Sequence, residues 1–454
     1  VPAGSCFTRA RVGGAPGPLS SPAAPLEGPQ DTTLLFEGPY QYVLWLRPDL
    51  YTAKHTQWFY FRVQNTRKDP LYRFTIANLA KPTSLYSEGM RPLLYSQRDA
   101  QSRGIGWRRV GTHIRYYRGG TEEPATFRLS WTVRFPHDGD TCFFAHSYPY
   151  TYTDLQRYLG GLARDPSCWR YCAVRALCRS LAGNTVYLLT ITSPAGAAAA
   201  KRVVVLSARA HPGESVGSWA MRGFLDFLLS AHPDARLLRR LFVFKVVPML
   251  NPDGVVVGNS RCSLAGRDPN RAYGTALRGS FPGVWHLRAM VERVLAEREV
   301  VLYCDFHGHS RKNNVFMYGC DGSGAGLRLL QRVFPLMLSK NAPDKFSFPS
   351  CKFKVQKSKA GTGRVVMWRM GIANSYTMEV AFGGSTLGRR NSHFTVEDLK
   401  SLGYHLCDTL LDFCDPHPAK LQQCLSEVDA LLRQRTGRET GSGWSDVSIS
   451  ELES

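Results

Sequence analysis

The sequence predicts an antiparallel β-sandwich followed by an α/β unit, a mixed sheet with helices on both faces, and three observations carry that prediction. From Leu34 to about Ala145 apolar residues come in short, often alternating runs: Tyr42-Val43-Leu44-Trp45-Leu46, Trp58-Phe59-Tyr60-Phe61-Arg62-Val63, Tyr72-Arg73-Phe74-Thr75-Ile76 and Phe127-Arg128-Leu129-Ser130-Trp131-Thr132-Val133. Turn-rich pieces separate them, the pattern of strands in a sandwich. From about Tyr148 strand-like and helix-like segments alternate, which argues a parallel or mixed sheet covered on both faces. A composition of 43% apolar and 20% charged residues over 454 is that of a folded chain with room for two or three domains.

Residues 1–30, rich in Pro, Ala, Gly and Ser, read as a disordered lead-in. The sandwich is placed at 31–146 and the α/β unit at 147–415. Strands of the second unit are expected at Thr185 to Thr192, Arg202 to Ser207, Phe242 to Val247, Val300 to Phe306, Asn314 to Tyr318 and Ser375 to Phe382. Helices are expected near 153–163, 215–230, 284–297, 326–340 and 395–413. The block 416–454 holds an amphipathic helix with Leu421, Cys424, Leu425, Val428 and Leu432 on one side. A mobile tail follows from about Gly437, where serine beside acid at Trp444-Ser445-Asp446 suggests phosphorylation.

Lys and Arg total 57 against 36 Asp and Glu, a net charge of +21, which draws the chain toward a polyanion. Nucleic acid, an anionic membrane and an acidic protein all fit that charge. Arg103, Arg108, Arg109, Arg115 and Arg118 interleave with Trp107, Tyr116 and Tyr117. Such a stretch can stack single-stranded nucleic acid, but solvated strand faces or a dock for an acidic protein are the favoured readings. Cys168, Cys172 and Cys178 are the densest of twelve cysteines, and their spacing suits core thiols on one helical face better than a metal site. No secretory leader opens the sequence and no apolar run reaches the roughly 18 residues of a bilayer span, so a soluble, reducing compartment is expected. There is no phosphate-binding Gly-x4-Gly-Lys-Ser/Thr loop, which leaves nucleotide hydrolysis without support.

The chemistry centres on Ala208-Arg209-Ala210-His211-Pro212-Gly213-Glu214. The β-branched run Arg202-Val203-Val204-Val205-Leu206 precedes it, and Trp219, Met221, Phe224, Phe227 and Leu228 follow at helical spacing. His211 and Glu214 therefore occupy a turn at the carboxyl end of a strand, where open α/β sheets place ligands. Catalytic zinc takes two histidines and a glutamate and leaves a fourth position open. The third ligand is expected to be His307, which ends the apolar run Val301-Leu302-Tyr303-Cys304-Asp305-Phe306, with Asp305 or a backbone carbonyl orienting its ring. His309 competes, and is disfavoured because Gly308 is expected to turn it away. Glu379, in Ser375-Tyr376-Thr377-Met378-Glu379, is a carboxylate that burial makes costly without a partner. Arg261, Asn270 and Arg271 follow the Asn251-Pro252-Asp253-Gly254 turn and read either as site residues or as turn and surface charge.

Taken in order, His211-Pro212-Gly213-Glu214, Asn251-Pro252-Asp253-Gly254, Gly266-Arg267-Asp268-Pro269-Asn270-Arg271, Asp305-Phe306-His307-Gly308-His309-Ser310 and Tyr376-Thr377-Met378-Glu379 resemble the zinc carboxypeptidases. Within them the likeness is to the cytosolic carboxypeptidases (the ATP/GTP-binding-protein-like group), over roughly residues 30 to 435. Phe244-Lys245-Val246-Val247-Pro248-Met249-Leu250 and Gly361-Thr362-Gly363-Arg364-Val365-Val366-Met367-Trp368-Arg369 place it nearest the type-two branch, then type three. The resemblance implies one zinc ion on His211, Glu214 and His307, with Glu379 as general base and Arg261 as the oxyanion's arginine. It also implies that Asn270 and Arg271 grip the terminal carboxylate and that Arg364 lies at the pocket floor. Pro269 stands where the family pattern has leucine, and Val380-Ala381 where it has Ser-Thr, so activity is expected to depend on how both are accommodated.

An arginine at the pocket floor selects an acidic side chain, because each charge-assisted hydrogen bond is worth about 1.5–3 kcal/mol. The expectation is therefore a zinc metallocarboxypeptidase that removes glutamate from polyglutamylated tails. The resemblance implies tubulin as target and the cytoplasm, cytoskeleton, centriole and ciliary basal body as place of work. Two other functions are open at this point: a catalytically weak microtubule-binding scaffold, and a zinc amidohydrolase of acylated amino acids.

Overall fold

The computed structural model describes residues 32–38, 40–120, 124–194, 201–275, 277–322, 325–388 and 392–439. The expected lead-in and the Ser445 region lie outside these residues. The amino-terminal part contains β1 (Thr32–Gly38), β2 (Gln41–Leu46), β3 (Tyr60–Gln64), β4 (Tyr72–Leu79), β5 (Leu93–Ser96), β6 (Arg108–Arg109), β7 (Thr112–Arg118), β8 (Phe127–Val133) and β9 (Thr141–Ala145). They form a five-stranded sheet, β1-β2-β4-β8-β7, and a four-stranded one, β3-β9-β5-β6. Alternation explains the layering, because every second residue of a strand faces the partner sheet. Phe61 of β3 meets Phe74 of β4 at 5.7 Å between ring centroids, and Phe144 of β9 meets Phe74 at 5.2 Å and Trp131 of β8 at 5.6 Å. One pairing corrects the antiparallel expectation: β2 runs parallel to β4, through Gln41↔Arg73 to Leu44↔Ile76.

The second unit is a seven-stranded mixed sheet. Its strands are β10 (Cys172–Arg179), β11 (Thr185–Ile191), β12 (Arg202–Ala208), β13 (Phe242–Val247), β14 (Val300–His309), β15 (Val315–Tyr318) and β16 (Ser375–Ala381), in the order β10-β11-β13-β12-β14-β16-β15. The neighbours β13, β12, β14 and β16 are parallel, and the outer pairs are antiparallel. The β-branched run of β12 is buried on both faces: Val204 and Leu206 join one core, Val203 and Val205 the other. The first core carries the helices Ser215–Leu228 and Val396–Phe413, the second Pro282–Glu297 and Gly363–Arg369. Gly223 and Gly403 let the first pair of helices meet backbone to backbone, since a Cβ on Gly223 would stand 2.0 Å from the Lys400 carbonyl oxygen.

The helix Ala419–Glu439 packs Cys424 and Val428 on Val333, Leu336 and Met337, and runs past Gly437. Cys168 sits in the short helix Pro166–Trp169, whereas Cys172 and Cys178 lie on β10, so one shared helical face does not exist. The arginine–aromatic stretch is also divided. Arg109 donates to the carbonyl of Phe382, Arg108 pairs with Asp99, and Trp107 packs on Tyr60 and Tyr95.

The two units meet around one carboxylate. Asp49, 2% exposed in the loop after β2, accepts three backbone N–H groups of the second unit: Ser260 at 2.5 Å, Arg261 at 2.7 Å and Cys262 at 2.7 Å. Arg47 donates to the Val257 carbonyl at 2.6 Å, and the N–H groups of Gln57 and Trp58 donate to Ser260 Oγ. Each buried N–H left without a partner costs about 1–3 kcal/mol. Asp49→Ala is thus expected to destabilise the chain by about 3 kcal/mol or more in denaturant unfolding. A change under about 0.5 kcal/mol would show that the latch is dispensable.

Candidate active site

The register of three parallel strands assembles the centre. Ala208 of β12 is level with Phe306 of β14, and His307 of β14 is level with Glu379 of β16. The chain leaving β12 must turn at once to present His211, and Arg209 does so in the left-handed region at φ 61°. That strained residue is 3% exposed and staples the turn, donating to the carbonyls of Pro212 at 2.9 Å and Tyr150 at 2.9 Å and to Ser218 Oγ at 2.8 Å. Gly213 passes against the Ser260 carbonyl, to which its N–H donates at 3.0 Å; a Cβ there would lie 2.9 Å from that oxygen.

His211, Glu214 and His307 each offer a ligand atom, and these atoms lie within 4.8 Å of one another. His211 Nδ1 is 2.8 Å from Glu214 Oε1, and His307 Nδ1 is 2.9 Å from Glu214 Oε2 and 3.1 Å from His211 Nδ1. The opposite nitrogens are committed elsewhere: His211 Nε2 to Asp268 at 2.9 Å, His307 Nε2 to Asp305 at 2.6 Å. Carboxylates on both Nε2 atoms hold the protons there and turn the Nδ1 lone pairs toward Glu214. Acceptors facing acceptors at this range need positive charge among them. Burial opposes a proton on the His307 imidazole, but Asp305 and Glu214 hold its pKa well above the usual range. Two imidazoles and a carboxylate fit zinc, and these three residues are the ones that would hold it. His309 is not among the converging donors. The reason differs from the one expected, since β14 runs on through Gly308 to His309. His309 Nδ1 instead accepts the N–H groups of Arg311 and Lys312.

Glu379 stands beside this cluster, and burial pushes its carboxyl up to about 7. Asp268, quoted in the sequence only as part of a motif, is a hub: it holds His211, takes Arg261 Nε and Nη2 at 2.8 Å each, and lies 3.7 Å from Arg271. It also caps the single turn Pro269–Arg271 by accepting the Asn270 N–H. Pro269 fills the first position of that turn, where a missing N–H costs nothing. Asn270 Oδ1 accepts the Gly363 N–H at 3.0 Å, which sets the start of the helix bearing Arg364. The buried Arg364 guanidinium donates to the Gly319 carbonyl and lies over the Tyr318 ring, and no carboxylate is within ion-pair distance among the described residues. Val380 and Ala381 are buried apolar positions of β16, packed in the larger core. The structure thus brings together His211, Glu214, His307, Glu379, Arg261, Asn270, Arg271 and Arg364, and adds Asp268, Arg209 and Asp49.

The family profile described as Zinc carboxypeptidase matches residues 163–387, and that of the Cytosolic carboxypeptidase N-terminal domain matches 32–146. Human Cytosolic carboxypeptidase 2 is 63% identical over 480 aligned residues, covering 99% of this chain and 53% of that one. Mouse Cytosolic carboxypeptidase 3 is 54% identical over 469, covering 98% and 46%. Among solved structures, the metallo-carboxypeptidase from Burkholderia cenocepacia superposes with a TM-score of 0.70 at 22% identity, over 85% of this chain and 96% of that one. The chain belongs to the cytosolic carboxypeptidases, within the zinc carboxypeptidase family. It spans about half the length of the curated relatives it matches.

The carboxylate on His307 has a measurable consequence. Replacing Asp305 with Asn is expected to weaken zinc affinity about 10–100-fold in competition with a chelator, with the fold retained. An unchanged affinity would mean that Asp305 does not orient the ligand.

Proposed function

We propose that this chain is a zinc-dependent carboxypeptidase that removes carboxy-terminal glutamate from polyglutamylated protein tails, tubulin's first among them. The proposed division is a β-sandwich unit at 31–146, a catalytic unit at 147–415 and a helix with tail at 416–454. The observation that carries the reading is an imbalance of charge: Arg271 and Arg364 both lie within the electrostatic reach of Glu379, and the buried Arg364 has no acid within ion-pair distance among the described residues. Burying an unpaired guanidinium is costly, and an acidic side chain arriving with the substrate relieves that cost.

In this reading His211, Glu214 and His307 would hold zinc, which would supply a water acidified to near neutrality as the nucleophile. Glu379 takes the proton of the attacking water and returns it to the departing amine, a task suited to a carboxyl titrating near neutrality. Arg261, fixed by Asp268 through Nε and Nη2, has Nη1 outside that pairing for the developing oxyanion. Asn270 and Arg271 hold the terminal carboxylate, which makes the reaction exopeptidic, and Arg364 takes the glutamate side chain. A net charge of +21 raises the local concentration of acidic tails and makes turnover salt-sensitive. The cytosol, with microtubules, centrioles and basal bodies, is the proposed place of work. No helix among the described residues is long and apolar enough to cross a membrane.

The test is release of free glutamate from a synthetic acidic peptide ending in a glutamate chain. Release should stop with a zinc chelator and fall about 10²–10⁴-fold with Glu379→Gln. Arg364→Ala should lower the preference for terminal glutamate over glutamine about 10–100-fold. Turnover that survives both chelation and Glu379→Gln would sink the mechanism.

A further inference from the structure

At the end of the sheet opposite the converging donors lies an open groove of about 460 Å³, lined by Tyr171, Ser193, Pro233, Arg236, Arg239 and Arg240. The helix Pro233–Leu241 supplies the three arginines and runs directly into the first residue of β13, whereas the His211 turn follows the last residue of β12. Phe242 is level with Arg202, so the length of β12, about 20 Å at about 3.3 Å per residue, separates the two places. The floor of the groove is a guanidinium held rigid. Arg239 is 5% exposed; its Nη1 donates to the carbonyls of Leu228 and, at 3.0 Å, Ser230, and its Cζ lies 4.2 Å from the centre of the Tyr171 ring. Its carbonyl is fastened too, by the Ser193 N–H at 2.7 Å and Lys201 Nζ at 3.3 Å. Arg236 and Arg240 stand exposed on the same helix. The helix's own acid, Asp234, sits 3.6 Å from His232. Among the described residues no carboxylate lies within ion-pair distance of any of the three arginines, and the block Ala195-Gly196-Ala197-Ala198-Ala199-Ala200 has none to bring.

Like charges at i and i+4 of a helix repel, and a buried guanidinium met only by carbonyls keeps part of its desolvation cost. Three such groups beside one groove are relieved by an anion from outside. Spacing selects the anion. Arg236 and Arg240 are about 6 Å apart along the helix, and alternate side chains of an extended peptide repeat at about 6.6 Å. Nucleic-acid bases need an open aromatic face, but the Tyr171 ring is covered by Arg239 and its hydroxyl donates to the Leu229 carbonyl at 3.0 Å. Trp169, two residues earlier, is 64% exposed and fixed by its indole N–H on the Ala163 carbonyl, the kind of aromatic anchor that protein contacts favour. We propose that this groove is a docking site for a glutamate-rich segment of a partner protein, gripped through side-chain carboxylates away from the metal-ligating cluster. The choice of glutamate rests on the carboxypeptidase reading, whose acidic tails are then held at two places on one chain. The demand for carboxylates rests on the groove alone.

The test is binding of a fluorescent peptide of about ten glutamates, long enough to span the three arginines and amidated so that it offers Asn270 and Arg271 no terminal carboxylate. Anisotropy at about 0.15 M salt should give a Kd that rises about 10-fold or more in the double variant Arg236→Glu/Arg240→Glu. Arg67→Glu/Lys68→Glu makes the same change of charge on exposed residues between β3 and β4, and should leave Kd within about 2-fold. Both pairs are exposed, so neither change disturbs the core. Equal weakening in the two double variants means a general surface field and overturns the assignment. So does a preference for a single-stranded oligonucleotide over the peptide that is lost in the groove variant, which marks a nucleic-acid surface. Binding of this peptide needs neither zinc nor turnover, so the docking site can fail while the carboxypeptidase reading stands, and the reverse.

Discussion

Everything at the centre of this molecule follows from one electrostatic constraint: three acceptor atoms face each other in a largely buried cluster. Two imidazole Nδ1 atoms and a carboxylate within 4.8 Å repel unless positive charge lies between them. Holding such a group together requires a rigid frame, and parallel strands provide one because their register admits no partial slip. Val204 and Leu206 on one face of β12 and Val203 and Val205 on the other lock that strand between two cores. The two carboxylates behind the histidines do the rest, since each fixes which nitrogen carries the proton. The strained turn at Arg209 persists because its guanidinium is fastened to three partners around it.

The amino-terminal sandwich is part of this frame, not an appendage. Asp49 ties down Ser260, Arg261 and Cys262, and Ser260 in turn receives the N–H of Gly213 inside the turn from His211 to Glu214. Only two bonded steps separate the sandwich from a residue between His211 and Glu214. Asp268 links the same loop to the other side by joining His211 to Arg261 and Arg271. Two arginines and a histidine of the converging cluster so share one acid, and moving any of them disturbs the rest.

Most of this was legible where local pattern and tertiary role coincide. The run Arg202-Val203-Val204-Val205-Leu206 reads as a buried strand and is one, and the helical spacing from Trp219 onward gives the helix Ser215–Leu228. His211, Glu214 and His307 were legible because each follows or ends such a strand. β10 was missed because only Cys172 of its residues is buried and its small and apolar residues stand side by side, as in Ala173-Val174 and Ala176-Leu177-Cys178, which hides the alternation that marks a strand. The parallel pairing of β2 with β4 leaves no local trace, since a strand's sequence does not state its neighbour's direction. Asp49 and Asp268 look like loop charges in the sequence. The partners of Asp49 lie more than 200 positions away, and only folding reveals that an apparent surface acid is buried. Arg109 carries the same lesson in reverse, as an apparent surface cation that is bonded to the Phe382 carbonyl of the second unit.

The central claim is that the converging Nδ1 atoms and Glu214 form a metal centre, and its most direct test is positional. Crystals of zinc-loaded protein, measured on both sides of the zinc absorption edge, locate the ion without reference to activity. The account predicts one anomalous peak about 2.0–2.1 Å from Nδ1 of both His211 and His307, with a Glu214 oxygen at a similar distance. A peak on the Nε2 side of His211, against Asp268, or no peak in protein that carries one zinc per chain, would contradict it.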